Sequence, residues 1–338
     1  MKLRIATRKS DLALAQTTMA ADAIVAANFV ANSAERGKCA AVGDDSLTYE
    51  LVSMTTEGDR RLDKSLASFG GKGVFIKELE IALLENRADI AIHSLKDMPA
   101  EVLPQFKLAA VLKREDPRDA FLSRGGAAGV RFMDLPAGAR VGTGSIRRIV
   151  QLKALRPDIE YVPIRGNIQT RISKLAELDG VVLAVAGLKR MGLADQVTEY
   201  FSTEQVLPAS GQGILAIETL ADADSRHPEQ REGSSEISGN LAQILARAND
   251  VETFCVATAE MAYLKALNAG CQFPVASFAE FVGDTAENLK IRGIYWDEKS
   301  EKLLRAEVAG TVDLSSADSV KQSKELGVAL AQEIKNQL

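Results

Sequence analysis

The sequence has few of the residues that build metal sites and disulfide frameworks. Among its 338 residues are two histidines and three cysteines. Cys39, Cys255 and Cys271 are far apart in the chain, odd in number and without a CxxC spacing. This pattern argues against disulfide bonds and against a structural zinc site, so we expect no bound metal.

An excess of positive charge and long apolar runs are also missing. Lys and Arg number 41 against 46 Asp and Glu, which gives a formal net charge of −5. Such a chain has no global basic field to attract nucleic acid or an anionic membrane. No signal peptide and no uninterrupted apolar stretch of about 18 residues is visible. We therefore expect a cytoplasmic protein in which any cationic site is local.

Short apolar strands alternate with helices over most of the chain. Strands are predicted at 2–6, 48–55, 88–94, 159–164 and 180–186, and helices at 76–86, 145–155 and 168–178. From about Asp250 the pattern changes to a long helix, two strand-like segments and a final amphipathic helix. The alternation predicts α/β units sufficient for two domains, followed by a separate α+β domain.

Arginines occupy unusual positions near predicted helix starts. Arg147 and Arg148, in VGTGSIRR, lie in the first turn of a helix, where the macrodipole favours anions and disfavours cations. Arg8, Arg165 and Arg190 follow or flank predicted strands. Any one of them alone is equally compatible with an ordinary surface arginine. Together they predict a polyanion-binding cleft at the carboxyl ends of the strands, suited to carboxylates or phosphate.

Two further segments contain side chains that can take part in acid–base chemistry or covalent attachment. HSLKDMP places Lys96 and Asp97 after a strand, where a carboxylate beside cations can carry a proton or stabilise a positive charge. Alone, this segment is also typical of a simple turn, and His93 is expected to be hydrogen-bonded rather than a base. Cys271, in AGCQFPVAS, follows a long helix and is accessible as a nucleophile or attachment point. Cys255 lies on the apolar face of that helix and is expected to be buried.

The motifs occur together in the order found in one enzyme family. RIATRKSDLALAQ, GGKGVFIKELE, ADIAIHSLKDMP, REDPRDAF, VGTGSIRR, IRGNIQTR, AVAGLKRMGL, LPASGQG and GCQFP resemble the porphobilinogen deaminases, also called hydroxymethylbilane synthases. The resemblance spans nearly the whole chain except two polar stretches, 32–46 and 221–240. It implies a transferase of tetrapyrrole, porphyrin and haem biosynthesis. Such an enzyme joins four porphobilinogen molecules head to tail, releasing ammonia at each step, and frees hydroxymethylbilane by hydrolysis.

The resemblance also implies the roles of individual residues. It predicts a dipyrromethane cofactor joined through a thioether to Cys271, and a catalytic role for Asp97 in the loss of ammonia. The implied cofactor contacts are Cys271, Lys96, Lys72, Asp97, Ser94, Thr143, Ser145, Arg147, Arg148, Arg165 and Gly166. The implied substrate contacts are Arg8, Ser10, Gln16, Arg147 and Arg190. Val162 and Gly144 depart from the family pattern, where some members have arginine and serine.

The family fold has two α/β domains like those of type II periplasmic binding proteins and a C-terminal α+β domain that carries the cysteine loop. The implied domains are 1–114 with 213–245, 115–212, and 246–338, with crossings in EDPRD and LPASGQG. We expect a monomer that acts on a small molecule, porphobilinogen, without nucleic acid or membrane.

Other function classes share some of these features. A bilobed anion-binding solute or sensor domain has the same architecture, but it would need an export signal or a DNA-binding segment, and neither is visible. A carboxylate-handling transferase without the cofactor would need neither the loop cysteine nor the third domain. The anion-binding domain is kept as the alternative hypothesis.

Overall fold

The computed structural model describes residues 2–36, 47–55, 76–223, 241–269, 273–283 and 287–338. The strands are β1 (Lys2–Arg8), β2 (Thr48–Met54), β3 (Ile90–Ser94), β4 (Phe106–Val111), β5 (Asp119–Ser123), β6 (Arg140–Gly142), β7 (Glu160–Val162), β8 (Gly180–Ala184), β9 (Glu199–Tyr200), β10 (Leu215–Leu220), β11 (Val275–Phe281), β12 (Asn288–Asp297) and β13 (Lys302–Thr311). The α-helices are α1 (Asp11–Arg36), α2 (Lys77–Leu84), α3 (Ile146–Leu155), α4 (Ile168–Ser173), α5 (Val185–Arg190), α6 (Leu241–Ala248), α7 (Val251–Ala266) and α8 (Ser319–Lys335).

The chain divides into two compact units. Among the described residues, unit 1 contains 2–36, 47–55, 76–113, 214–223 and 241–254, and unit 2 contains 114–213, 255–269, 273–283 and 287–338. Within the described residues, the chain passes between the units at 113 and 114, at 213 and 214, and at 254 and 255. The three-domain boundaries implied by the family resemblance stay a prediction.

Unit 1 is built on a five-stranded sheet in the order β2-β1-β3-β10-β4. β1 is parallel to β2 and β3, whereas β10 runs antiparallel to β3 and β4. Apolar side chains of β1 and β3, among them Ile5 and Ile90, pack with Ile24 of α1 and Leu83 of α2 in one core. Because β1, β2 and β3 are parallel, their carboxyl ends lie at the same edge of the sheet.

Helix α1 is the one helix in the described part of the chain that is long and apolar enough to cross a membrane. Its residues Ala20, Ala21 and Ile24 are buried in the core of unit 1. The Asn28 amide donates hydrogen bonds to the carbonyl oxygens of Ile24, at 2.8 Å, and Ile244, at 3.1 Å. One face of this helix therefore belongs to the core of unit 1, while Phe29 and Val30 are exposed.

Unit 2 contains a second five-stranded sheet, in the order β7-β6-β8-β5-β9. It repeats the arrangement of unit 1, because β6 is parallel to β7 and β8 while β5 runs antiparallel to β8 and β9. Phe121, Phe132 and Phe201 pack edge to face in one core cluster. Val181 and Leu183 of β8 contribute to a second cluster, while Val182 belongs to the first, so β8 is buried on both faces as its sequence predicts.

The C-terminal part of unit 2 forms a three-stranded antiparallel sheet in the order β11-β12-β13. The Tyr263 hydroxyl of α7 donates a hydrogen bond to the Ile294 carbonyl oxygen of β12 at 3.0 Å. Tyr263 and Leu330 of α8 are fully buried beside Gly293, where any side chain would meet both of them. Two mixed α/β sheets followed by a sheet with helices confirm the predicted fold class.

Gly327 allows α8 to approach α7 closely, which generates a stability prediction. A Cβ atom at Gly327 would overlap the carbonyl oxygen of Ala259 and lie 2.9 Å from the Ala262 Cβ. We expect Gly327→Ala to lower the free energy of unfolding by about 1–3 kcal/mol through overpacking, as measured by urea denaturation. Val328→Ala is the matched control, because Val328 is exposed and its replacement should change stability by less than about 0.5 kcal/mol. Equal midpoints for the two variants would contradict the close packing of α7 and α8.

Candidate functional site

The carboxyl edge of the unit 1 sheet presents the turn that contains Asp97. β3 ends at Ser94 and continues into a 3₁₀ turn, Leu95–Asp97. Leu95 and Met98 are buried, and the Leu95 amide donates to the Ile214 carbonyl oxygen at 3.0 Å. Lys96 is half-buried and Asp97 is exposed. Two buried apolar side chains thus hold the turn rigidly while its carboxylate faces solvent.

Ser10, Gln16 and Ser94 lie at the same edge with different contacts. Ser10 directly precedes α1, and its carbonyl oxygen accepts a hydrogen bond from the Leu14 amide at 2.9 Å. Gln16 is buried, and its Oε1 accepts a hydrogen bond from Ser94 Oγ at 3.2 Å. Arg8 is the last residue of β1, whose carboxyl end meets that of β3. The structure therefore brings the predicted unit 1 residues to one sheet edge.

His93 is a structural residue rather than a base. Its Nε2 lies 3.0 Å from Glu218 Oε2, and the two side chains are 5% and 1% exposed. Burial, together with the nearby charge of Glu218, raises the pKa of Glu80 on α2. Because side chains alternate along a strand, His93 and Ser94 point to opposite faces of the sheet. The expectation of a hydrogen-bonded His93 is confirmed.

In unit 2, the segment after β6 contains Thr143 and Ser145. Thr143 is buried and its amide donates to the Val162 carbonyl oxygen at 2.9 Å. Ser145 precedes α3, and its carbonyl oxygen accepts from the Arg148 amide at 3.0 Å. A Cβ atom at Gly144 would lie 2.6 Å from the Ile164 carbonyl oxygen. A side chain at this position would therefore require the backbone near Ile164 to shift.

The segment after β7 contains Arg165 and Gly166. Arg165 is exposed, and Gly166 has a φ of 104°, a conformation that favours glycine. Asn167 caps α4, because its Oδ1 accepts from the Thr170 amide at 2.8 Å. Arg171 returns to this turn, where its Nε donates to the Gly166 carbonyl oxygen at 2.8 Å. Arg171 is not among the predicted contacts, although it lies in the same IRGNIQTR segment.

Arg147 and Arg148 converge on one buried carboxylate, that of Asp119 at the start of β5. Arg147 Nη1 lies 2.8 Å from Asp119 Oδ2, and Arg148 Nη2 lies 2.7 Å from Asp119 Oδ1. Both arginines are 5% exposed and Asp119 is fully buried. The anion expected at this helix start is therefore supplied by the chain itself. Contacts of the two arginines with cofactor or substrate stay a prediction.

The cluster of Arg147, Arg148 and Asp119 contains more positive than negative charge. Burial alone would raise the pKa of Asp119, but the charges of Arg147 and Arg148 outweigh it and hold that pKa well below its usual range. Burial lowers the pKa of Arg147, which Asp119 only partly offsets. Two cations share one carboxylate, so one positive charge is in excess. Arg148 Nε is buried and has no hydrogen-bond partner among the described residues. The cluster therefore carries an excess positive charge and an unsatisfied donor among the described residues.

Arg190 and Lys189 end α5 and contact Gly213 and Glu115, which lie beside two of the crossings between the units. Arg190 Nη2 donates to the Gly213 carbonyl oxygen at 2.6 Å, and burial lowers the pKa of Arg190 to about 10. Lys189 Nζ lies 2.7 Å from Glu115 Oε1. Gly213 has a φ of 93° and its carbonyl oxygen also accepts from the Glu115 amide at 3.2 Å. Arg190 remains charged at neutral pH and, within the described residues, forms no ion pair.

Two predicted cofactor contacts, Lys72 and Cys271, lie outside the described residues. Cys39 also lies outside them. Cys255 is fully buried in α7, as its position on an apolar helix face predicts.

Two protein-family models match the chain. The model described as porphobilinogen deaminase, dipyromethane cofactor binding domain, matches residues 3–227. The model described as porphobilinogen deaminase, C-terminal domain, matches residues 254–336. Together the two models cover most of the sequence, including Asp97, every arginine of the candidate site and Cys271.

Known proteins are similar to this chain over nearly its whole length. A porphobilinogen deaminase from Syntrophus aciditrophicus (strain SB) is 43% identical over 98% of this chain and 94% of its own length. One from Clostridium kluyveri (strain NBRC 12016) is 42% identical over 92% of this chain and 93% of its own length. Among solved structures, a TRAP periplasmic solute-binding protein from Roseobacter denitrificans with bound β-D-glucuronate has a TM-score of 0.38 and 11% identity, covering 74% of this chain and 81% of that one.

The Arg147 ion pair generates a second stability prediction. Arg147→Leu leaves the buried Asp119 carboxylate with one arginine instead of two, and it also removes the 2.7 Å hydrogen bond to the Leu207 carbonyl oxygen. We expect the free energy of unfolding to fall by about 3 kcal/mol, at the lower end for a broken buried ion pair because Arg148 remains. Urea denaturation measures the loss. Arg165→Leu, the same substitution at an exposed site, should cost less than about 0.5 kcal/mol; similar losses in both variants would contradict the assignment.

Proposed function

The chain belongs to the porphobilinogen deaminase family, and from that premise we propose which of its residues carry out the reaction. It is an enzyme of tetrapyrrole synthesis that condenses porphobilinogen into hydroxymethylbilane and uses a dipyrromethane cofactor. The observation that carries the assignment is the match of both family models and of relatives about 40% identical over nearly the whole chain. No observation favours the alternative of an anion-binding solute or sensor domain.

The residues present fit a dipyrromethane. Its pyrrole rings bear acetate and propionate groups, so a binding site needs cations that lack a full complement of carboxylates. The cluster of Arg147 and Arg148 has one positive charge in excess and an unpartnered, buried Arg148 Nε among the described residues. Arginine forks bind carboxylates through two parallel hydrogen bonds, which a lysine cannot form. The donor set therefore suits a ligand with several carboxylates.

We assign the cofactor contacts to the residues that the family motifs imply. Arg147, Arg148 and Arg165 would pair with its carboxylates, while Thr143, Ser145, Gly166, Ser94, Lys96 and Lys72 would supply neutral or single-charge contacts. When bound, the cofactor supplies the pyrrole carbon to which the first substrate molecule is joined. Arg8, Ser10, Gln16 and Arg190 would contact incoming substrate, together with Arg147. Burial of Arg190 makes its charge costly, so a carboxylate beside it would be bound favourably.

Asp97 is the proposed catalytic residue. Its carboxylate is exposed on a turn that Leu95 and Met98 hold in place, and Lys96 lies beside it. An Asp97 carboxyl group can deliver a proton to the amine that leaves as ammonia. The resulting carboxylate stabilises the positive charge that develops on the substrate carbon as the amine departs. A rigid turn limits the reorganisation needed for both steps.

Cys271 is the proposed attachment point, and this assignment comes from its GCQ motif. We further propose that the enzyme is a transferase and a cytoplasmic monomer, without nucleic-acid or membrane partners. The net charge of −5 supports the absence of such partners.

The attachment is tested by the mass of the intact protein. Freshly purified protein should carry an increment that matches two linked pyrrole units, because a thioether resists hydrolysis while the tetrapyrrole product is released. Cys271→Ala should remove both the increment and the synthase activity. Intact-protein mass spectrometry and a porphobilinogen consumption assay measure the two effects.

Cys255→Ala is the matched control for this experiment. Cys255 is fully buried, so its truncation should cost some stability through a small cavity and leave the mass increment in place. An increment that survives in Cys271→Ala protein would place the cofactor on another residue and overturn the assignment.

The role of Asp97 is tested by an isosteric substitution. Asp97→Asn should lower kcat by about 100-fold or more, because an amide can neither deliver the proton nor offset the developing charge. Thermal unfolding should be unchanged, since the side chain is exposed. Asp134→Asn is the control: Asp134 is also the exposed last residue of a 3₁₀ turn, and its replacement should leave kcat unchanged. Normal turnover by Asp97→Asn enzyme would end the catalytic assignment.

A further inference from the structure

The proposed reaction assigns no role to the buried carboxylate of Asp119. This residue nevertheless lies at the edge of the unit 2 sheet where several predicted contacts are found. It is the first residue of β5, and its backbone pairs with Ala184 at the carboxyl end of β8. The edge that presents Thr143 and the start of α3 therefore also contains Asp119. Its side chain is fully buried between the guanidinium groups of Arg147 and Arg148.

The contacts of Asp119 fix the direction of both guanidinium groups. Arg147 Nη1 donates to Asp119 Oδ2 and to the Leu207 carbonyl oxygen, at 2.8 and 2.7 Å. Arg148 Nη2 donates to Asp119 Oδ1 at 2.7 Å, while its Nη1 donates to the Val182 carbonyl oxygen at 2.9 Å. Each arginine is thus held at two points, one of which is Asp119. Removal of the carboxylate would leave each fork with a single carbonyl anchor among these contacts.

Asp119 is itself held by the LPASGQG segment. Gln212 Nε2 donates to Asp119 Oδ1 at 3.0 Å and to the Pro117 carbonyl oxygen at 2.6 Å. The carboxylate therefore accepts three hydrogen bonds from three side chains. Because hydrogen bonds hold the Asp119 carboxylate from several directions, its position determines where the guanidinium groups of Arg147 and Arg148 lie.

The charge balance separates this cluster from an ordinary structural ion pair. Asp89 and Arg4 in unit 1 form such a pair, with one carboxylate and one guanidinium joined at 2.7 and 3.2 Å. At Asp119 two guanidinium groups share one carboxylate, and Arg148 Nε has no hydrogen-bond partner among the described residues. A ligand carboxylate would supply both the missing charge and the missing acceptor.

We propose that Asp119 is a positioning residue, which orients Arg147 and Arg148 and leaves one positive charge for a ligand carboxylate. The proposal rests on the proposed function, in which these arginines hold carboxylates of the cofactor and the substrate. Asp119 acts through the arginines and does not itself contact the reacting atoms. An anionic ligand would be recognised by the forks only in the orientation that Asp119 imposes.

The test compares Asp119→Asn, Asp119→Glu and wild-type full-length enzyme. Asp119→Asn keeps the shape of the side chain but loses the charge and one acceptor. We expect the KM for porphobilinogen to rise by about 10-fold or more, with a smaller change in kcat, because oriented charge-assisted hydrogen bonds are lost. The fraction of chains that carry the cofactor mass increment should also fall. Asp119→Glu retains the charge at a displaced position, and its KM should lie between those of the wild type and Asp119→Asn.

Asp89→Asn is the control for a purely structural effect. It removes a buried carboxylate from the Arg4 pair, so stability to urea should fall while KM and the cofactor mass increment stay within twofold of the wild type. An Asp119→Asn enzyme with unchanged or lower KM and a full mass increment would overturn the proposal, whatever its stability. If Asp119→Asn does not fold, an unchanged KM in Asp119→Glu would do the same. Wild-type protein that neither carries the increment nor consumes porphobilinogen would instead refute the proposed function.

Discussion

The buried Asp119 carboxylate is the contact on which the functional edge of unit 2 depends. It joins β5, the start of α3 and the LPASGQG segment through Arg147, Arg148 and Gln212. Ions removed from water are costly unless their partners satisfy them closely, so this cluster tolerates little displacement. Each arginine also donates to a main-chain carbonyl oxygen, that of Leu207 or that of Val182. Because a buried, unbalanced charge is costly, the cluster suits the ligand carboxylate that we propose for it.

The same strand arrangement in both units explains how distant sequence motifs come to lie at sheet edges. In each sheet three parallel strands are followed by an antiparallel strand, β10 in unit 1 and β5 in unit 2. The parallel strands deliver Arg8 and Ser94 to one edge, and Thr143 to the corresponding edge of the other sheet. The antiparallel strand adds a residue from its amino end, which in unit 2 is Asp119. Each motif thus needs only a short strand and a turn to reach its edge.

Much of this fold follows from sequence periodicity, but the exceptions have physical causes. The helix predicted at 168–178 ends as an α-helix at Ser173 and continues as a 3₁₀ turn, while the strand predicted at 180–186 gives way to α5 at Val185. The strands β5 and β10 were not predicted, because short segments with Asp or Glu beside apolar residues lack a clear period of two. Burial of Arg147 was missed for a related reason: periodicity counts arginine as polar, and its partner is 28 residues away. The exposed position of Asp97 on a turn could be predicted, because that position depends only on the local strand and on the turn that follows it.

Asp97 and Asp119 show how burial divides carboxylates between chemical roles. Asp119 is fully buried between two cations, which hold its pKa well below the usual range. It is therefore held as a carboxylate at neutral pH. A fixed negative charge suits the orientation of arginines and excludes acid–base work. Asp97 is exposed on a turn, where water and substrate can reach its oxygens. The proton transfer that we propose therefore suits the carboxylate that the fold leaves in solvent, and the proposed orientation of arginines suits the one that it buries.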